Sequence, residues 1–141
     1  ARLKADVRTG EKMKRDMALV REILFYVEAQ PAGKPIQEVK TSCDDINTLA
    51  EHLSIMREAG LLDGKVYGDA DQGWGFMINR LTWEGHDFLT TVKNDKVWKK
   101  VLAKIKEMGT DFTLDIVKDL AKSYLKQEIG MPGKADMQVI L

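Results

Sequence analysis

The stretch Arg80–Leu89, R-L-T-W-E-G-H-D-F-L, marks the point where an apolar strand gives way to a helix. Thr82 follows the last strand residue, where a hydroxyl accepts a hydrogen bond from an unpaired amide of the first helical turn. Glu84 lies in that turn, where the helix dipole favours an anion. Gly85 costs about 1 kcal/mol of helix propensity relative to Ala, so we expect another backbone to approach the helix closely there.

The junction also holds three side chains of catalytic type, Glu84, His86 and Asp87. Successive residues of a helix point about 100° apart, so these groups do not converge on one substrate. The chain has no phosphate-binding loop, nucleophile elbow or dinucleotide-binding motif. We therefore expect a protein that is not an enzyme, with no catalytic residues, no cofactor and no small-molecule substrate.

Upstream of the junction, apolar residues recur at helical spacing over residues 13–27, which predicts a first helix ending before Pro31. Residues 36–40 are predicted to form a short strand. Residues 1–12 carry no sustained period, and Met13 looks like a natural start. These twelve residues are interpreted as an N-terminal arm or a non-native remnant.

A second helix is predicted over residues 43–59. Ser42 and Asp45 have the spacing of a capping box, and Gly60 supplies a left-handed end. Strands at residues 65–68 and 76–81 then flank a turn-rich segment, which predicts an antiparallel hairpin.

The return strand of this hairpin is apolar on both faces of an ideal strand. Phe76 and Ile78 lie on one face, and Met77 and Leu81 lie on the other. Because a solvated sheet face alternates with polar residues, we expect both faces to be covered, by the C-terminal half or by a partner chain.

Helical periodicity continues from the junction to the end of the chain, in a helix through Val92, a helix ending at Gly109 and a helix from Thr113. The elements together predict an α+β, mainly α fold: a winged-helix-like domain of helices and a small antiparallel hairpin, with a C-terminal helical extension. The predicted divisions are a core over residues 13–92, an extension packed on it over residues 93–129, and a tail over residues 130–141.

Two segments resemble winged-helix regulators. Residues 49–62, L-A-E-H-L-S-I-M-R-E-A-G-L-L, resemble the passage from a helix to the first wing strand, and the junction resembles the exit from the wing. Winged helices usually place two helices before the wing, whereas only one fits here between Pro35 and Gly60. This departure argues against conventional reading of a DNA groove.

A more specific resemblance covers most of residues 13–127. K-R-D-M-A-L-V-R-E-I-L from Lys14, G-W-G-F from Gly73, the junction, and V-W-K-K-V around Trp98 resemble domain-of-unknown-function family 2513. Its members are uncharacterised bacterial and phage proteins. The resemblance implies a prokaryotic or prophage setting and no established activity.

The composition is that of one globular domain, with 141 residues, 44% of them hydrophobic, and 22 basic and 22 acidic side chains. Cys43 is the single cysteine, which excludes an intrachain disulfide framework and suits a reducing compartment. His52 and His86 lie on different predicted elements and lack partners at zinc-like spacing, so no metal site is expected. No apolar run approaches the length of a membrane span, and we expect a cytoplasmic protein without membrane contact.

The second predicted helix lies in an acidic segment. Residues 41–92 hold 3 basic and 9 acidic side chains, a net charge of −6. Asn47, Thr48 and His52 are expected on the outward side of the helix, where Asn47 and Thr48 are of a type that reads base edges. Against this, the acidic surround repels phosphates, which supply most non-specific affinity for DNA. The alternative is an ordinary solvated helix face.

The basic charge is concentrated over residues 93–107, which have a net charge of +4. The candidate nucleic-acid or partner contacts in this segment are Lys93, Lys96, Lys99, Lys100 and Lys104. Lys96, Lys100 and Lys104 share one helix face through their i, i+4 spacing, which suits DNA phosphates, an acidic partner, or only solvent. The absence of arginine from this cluster argues against bidentate recognition.

Trp74 and Arg80 complete the set of candidate contacts. Trp74 stands between two glycines at the hairpin turn, where it either anchors a partner or folds back onto the core. Trp83 and Trp98 lie at helix positions where core packing is expected.

Two functions fit these patterns. The first is a DNA-binding or regulatory protein of winged-helix type from a phage, prophage or bacterium, with double-stranded DNA as its partner. The second is a protein–protein interaction module that acts as a homodimer. In that case the two-sided strand and the C-terminal helices form the interface, and the acidic and basic segments attract each other across it.

Overall fold

The computed structural model describes residues 14–109 and 111–130. The elements within these ranges are α1 (Met17–Glu28), α2 (Ile46–Glu58), β1 (Leu62–Asp69), β2 (Gly73–Leu81), α3 (Trp83–Val92), α4 (Asp95–Met108) and α5 (Leu114–Glu128). The fold is therefore α+β and mainly helical, as predicted. The predicted arm of residues 1–12 lies outside the described residues, as does the predicted tail beyond Gly130.

Helix α1 begins at Met17, four residues later than the sequence pattern predicts. Asp16 is the N-cap, because its backbone is extended and its carboxylate accepts hydrogen bonds from the N–H groups of Ala18 and Leu19. One side of α1 lies in the core, where Ile23 and Leu24 have no exposed surface.

Helix α2 is capped by Asp45, whose side chain accepts a hydrogen bond from Asn47 N–H. The predicted capping box with Ser42 is wrong. The backbone N–H and hydroxyl of Ser42 donate instead to the two carboxylate oxygens of Glu22, at 2.8 and 2.7 Å. Glu22 belongs to α1, so these bonds fix the end of the loop against the first helix.

The short strand predicted over residues 36–40 is reduced to one bridge. Ile36 and Ile78 exchange two backbone hydrogen bonds of 2.8 and 2.9 Å. The chain then continues as a loop to α2. Val39 in this loop is 6% exposed and packs into the core. Only one helix lies between Pro35 and Gly60, as the sequence predicts. The arrangement is compatible with a winged helix in which a loop replaces one helix.

One extra residue in β2 decides which of its side chains face the core. The pairing with β1 shifts register, so no residue of β1 lies opposite Asn79, and such a bulge shifts the alternation of side chains. Ile78 and Leu81 consequently face the same way and are at most 2% exposed, whereas Met77 is 37% exposed. The C-terminal half therefore does not cover both faces of this strand, and cover of the exposed face by a partner chain stays a prediction.

The strand-to-helix junction has the predicted structure. Thr82 is the N-cap of α3, and its hydroxyl oxygen accepts a hydrogen bond from Gly85 N–H at 3.0 Å. Its own hydroxyl donates to Gly60 O, and its backbone N–H donates to Leu61 O at 3.1 Å. A Cβ atom at Gly85 would lie closer than 3.0 Å to Leu61 O, a contact that real Cβ atoms essentially never show.

Arg21 ties the end of α3 to α1 and α4. Its guanidinium donates to Val92 O at 2.7 Å, to Lys93 O at 3.0 Å and to Asp95 at 2.9 Å. The same group stacks over the ring of Trp98. A planar fork of donors suits this task, because the last carbonyls of a helix lack partners within it.

Helices α4 and α5 pack against each other as an antiparallel pair. Lys96 lies near the start of α4 and meets Glu128 near the end of α5 at 3.5 Å. Val101 and Val117 are fully buried. The C-terminal helical extension is therefore present, while its division from the core at residues 92 and 93 stays a prediction.

Candidate interaction surfaces

Two predicted contact residues, Asn47 and Trp74, meet beside the N-terminal end of α2. The indole N–H of Trp74 donates to the side-chain oxygen of Asn47 at 2.7 Å. Trp74 is half-buried, so it neither stands free at the hairpin turn nor lies fully in the core. The hydroxyl of Thr48 donates to Asp45 at 2.7 Å. The acceptor oxygen of Asn47 and the hydroxyl proton of Thr48 are thus engaged within the chain.

His52 does not lie on the outward side of α2, which corrects the sequence-based expectation. The imidazole has no exposed surface. Its Nε2 accepts a hydrogen bond from Asp16 N–H at 2.8 Å, so Nδ1 carries the proton and donates to Thr48 O at 2.8 Å. The ring joins α2 to the cap of α1 and is not available to a ligand.

The basic side chains next to α2 and the hairpin are few and partly engaged. Arg57 donates to Gly64 O at 2.6 Å, and Arg80 lies 3.8 Å from the Asp63 carboxylate. Lys65 is exposed. Residues 41–81, which include α2 and the hairpin, hold 3 basic and 7 acidic side chains, a net charge of −4, and this acidic excess repels phosphate.

The candidate lysines do not form a free basic ridge. Lys93 pairs with Glu28 at 2.9 Å, and Lys104 lies 3.5 Å from Glu107. Lys96 and Lys100 face α5, where Lys96 meets Glu128 and the ammonium of Lys100 lies 5.8 Å from the ring centroid of Tyr124. Lys99 is exposed and has no carboxylate partner within the described part of the chain.

Trp83 is 81% exposed, whereas Trp98 is 7% exposed. The expectation of core packing is therefore confirmed for Trp98 and wrong for Trp83. The buried side of α3 consists of Gly85, Phe88, Leu89 and Val92. Trp83 does not fall on this buried stripe. The spacing of the apolar residues in α3 is therefore sufficient to predict that Trp83 is exposed.

A groove of about 400 Å³ runs between α3 and α5. It is lined by Glu84, Asp87, Phe88, Thr90, Thr91, Lys118 and Lys122. Glu84 and Lys118 face each other across it at 3.7 Å. The α3 wall carries the acidic side chains and the α5 wall carries the basic ones.

A second groove, of about 300 Å³, lies where α1, α2 and the start of α5 meet. Its lining is mostly apolar and includes Met17, Val20 and Leu114. The charged residue Arg15 is held at this site, because it donates to Phe112 O at 3.0 Å and its guanidinium lies over the Phe112 ring.

Neither groove has the donor set of a metal centre. Within residues 14–109 and 111–130, no three His, Cys, Asp or Glu side chains are grouped so that they could hold a metal ion. None of the helices in these ranges has the length and apolar character that crossing a membrane requires.

A family model described as "Hypothetical protein (DUF2513)" matches residues 14–111, from the approach to α1 to just beyond α4. The chain belongs to this family. An "Uncharacterized protein" of Haemophilus influenzae is 31% identical over 120 residues, which are 84% of this chain and 100% of that relative. No solved structure matches the chain. The DUF2513 resemblance seen in the sequence is thereby confirmed.

Proposed function

We propose that this DUF2513 chain is a non-enzymatic regulatory module of winged-helix type that acts through protein–protein contacts as a homodimer, in a bacterial or prophage setting. Two observations carry the proposal. Most of the side chains that would contact DNA are engaged within the chain, and Trp83 is 81% exposed.

The electrostatics of α2 support this choice. In a winged-helix arrangement α2 is the helix beside the wing, and its outward residues include Glu51 and Glu58. Neutralisation of phosphates by lysine and arginine supplies most non-specific affinity for DNA. A helix face that presents carboxylates instead favours a protein partner over a duplex.

The apolar side chains at the surface support the same choice. Among the described residues of the winged-helix-like part, the exposed large hydrophobic ones are Ile46, Tyr67, Met77 and Trp83. Aromatic residues and methionine are enriched in protein interfaces, and tryptophan is prominent among the residues that dominate binding energy.

DNA binding is the second candidate, favoured by the position of α2 next to the hairpin and by the exposed side of α4. Lys99 and Lys106 are exposed and lack carboxylate partners among the residues that the structure describes. These two lysines, rather than the paired ones, would contact phosphates.

Two measurements on the full chain separate the candidates. Light scattering coupled to gel filtration at micromolar concentration is expected to give a dimer, and a monomer would refute the first candidate. Fluorescence anisotropy with labelled duplex DNA at low salt is expected to show no binding. Binding that weakens steeply with salt and is lost in the Lys99→Glu, Lys106→Glu variant would establish the second candidate instead.

A further inference from the structure

The groove between α3 and α5 combines opposite charges that are not all satisfied within one chain. Glu84 and Lys118 pair across it, but Asp87 and Lys122 have no ion-pair partner among the described residues, although both line the groove. The floor includes Phe88, which is 3% exposed. The groove thus offers an apolar floor between an acidic wall and a basic wall.

Trp83 does not line the groove itself, but it shares a face of α3 with Asp87, which does. It precedes Glu84 in α3 and stands one helical turn before Asp87, so it projects from the acidic wall. Tryptophan buries about 150–250 Å² when it packs, and Trp83 is 81% exposed, so most of this area is in contact with water. An exposed tryptophan of this kind is typical of a residue that anchors a protein interface.

We propose that the groove binds a second copy of this chain, with the partner subunit's Trp83 inserted between the two charged walls. This inference rests on the homodimer function proposed above and names its surface. A two-fold axis makes an interface from the same patch on both subunits. When this axis runs along the groove, each acidic α3 wall lies opposite a basic α5 wall, and each Trp83 enters the opposite groove.

The charges and the volume both favour a second copy as the occupant. A patch that carries one acidic and one basic wall is complementary to itself when it is rotated by the two-fold, whereas a uniformly charged partner would be repelled by one wall. The volume of about 400 Å³ falls within the range of roughly 300–1,000 Å³ that encloses compact ligands, which is sufficient for an indole ring.

Charge reversal provides the test. The variant Glu84→Lys, Asp87→Lys has two basic walls, and the variant Lys118→Glu, Lys122→Glu has two acidic walls. Each is expected to be monomeric alone because both contacts across the two-fold become repulsive. An equimolar mixture is expected to form a heterodimer, because both contacts are then attractive. Light scattering and analytical ultracentrifugation measure these states, and circular dichroism checks that each variant is folded.

One control variant and one further test variant complete the experiment. Glu51→Lys with Glu58→Lys makes the same change of charge on the outward side of α2 and is expected to leave the dimer intact. Trp83→Ala, introduced into the unmodified chain, is expected to weaken dimerisation by at least about thirtyfold, the loss expected for an interface hot spot. Introduced into both charge variants, it is expected to abolish the heterodimer.

The outcomes distinguish this inference from the homodimer function on which it rests. If the unmodified chain is dimeric and both charge variants remain dimeric alone, self-association stands and the groove is not its surface. If the unmodified chain is monomeric, both proposals are overturned. A monomer whose tryptophan fluorescence changes when residues 131–141 are removed, with no such change in the Trp83→Ala variant, would assign the groove to the chain's own tail and would likewise overturn the inference.

Discussion

The replacement Gly85→Ala tests whether close packing at the strand-to-helix junction limits the stability of the fold. Alanine at a helix interior gains about 0.8–1.0 kcal/mol of propensity over glycine, so an unhindered site would become more stable. Here the new methyl group would lie closer than 3.0 Å to Leu61 O and 3.1 Å from the carbonyl carbon. The alanine methyl group and the Leu61 carbonyl are both fixed to the backbone, so no side-chain rotation can relieve this contact.

The expected loss follows from three contributions. Overpacking costs about 1–3 kcal/mol, and displacement of Leu61 O weakens its hydrogen bond from Thr82 N–H, which is worth about 1 kcal/mol. Subtraction of the propensity gain leaves a net destabilisation of about 2 kcal/mol. For a chain of this size the thermal midpoint should fall by about 6–10 °C.

Urea denaturation followed by circular dichroism measures the free energy of unfolding directly. The matched control is His86→Ala, which changes the next residue of the same helix at an exposed position and is expected to stay within about 0.5 kcal/mol of the unmodified chain. A Gly85→Ala variant as stable as the unmodified chain, or more stable, would refute the account of the junction.

Further predictions concern His52 and Arg21, two polar side chains that join different helices. His52→Leu removes the acceptor for Asp16 N–H, and urea denaturation should show a loss of about 1–3 kcal/mol from the unpaired amide; an unchanged free energy of unfolding would mean that this amide finds another acceptor. Arg21→Met keeps an apolar stem but leaves the Val92 and Lys93 carbonyls without their charged donor, so thermal melting should show a loss of about 1.5–3 kcal/mol. Arg21→Lys, which lacks the planar fork, should recover less than half of that loss, and full recovery would contradict the role given to the guanidinium.

The features that the sequence predicts correctly are those decided by neighbours along the chain. The cap at Thr82 depends on residue types within one turn of a helix, and it is present. The glycine at position 85 marks a close approach that the sequence predicts, although the backbone that approaches belongs to Leu61 in another segment. The single helix between Pro35 and Gly60 follows likewise from the spacing of turn residues and apolar residues.

The features that the sequence misses depend on pairing between distant segments. Ser42 has the right spacing for a capping box, but Glu22 competes for it across the loop. The bulge at Asn79 shifts the inward alternation of β2 and depends on its register with β1. Lys96 pairs with Glu128 on another helix, and the sequence alone does not show that the charge of Lys96 is paired. Trp83 is the exception, because its exposure follows from its position relative to the buried residues of α3. The general preference of tryptophan for the core predicts the opposite and is wrong here.

The mixing experiment with the two charge variants tests the central claim most directly, because it asks in one measurement whether the chain self-associates and through which surface. Sedimentation velocity on the unmodified chain, on each variant and on their equimolar mixture is expected to give dimer, monomer, monomer and dimer. A monomeric unmodified chain, or variants that both sediment as dimers on their own, would contradict the account.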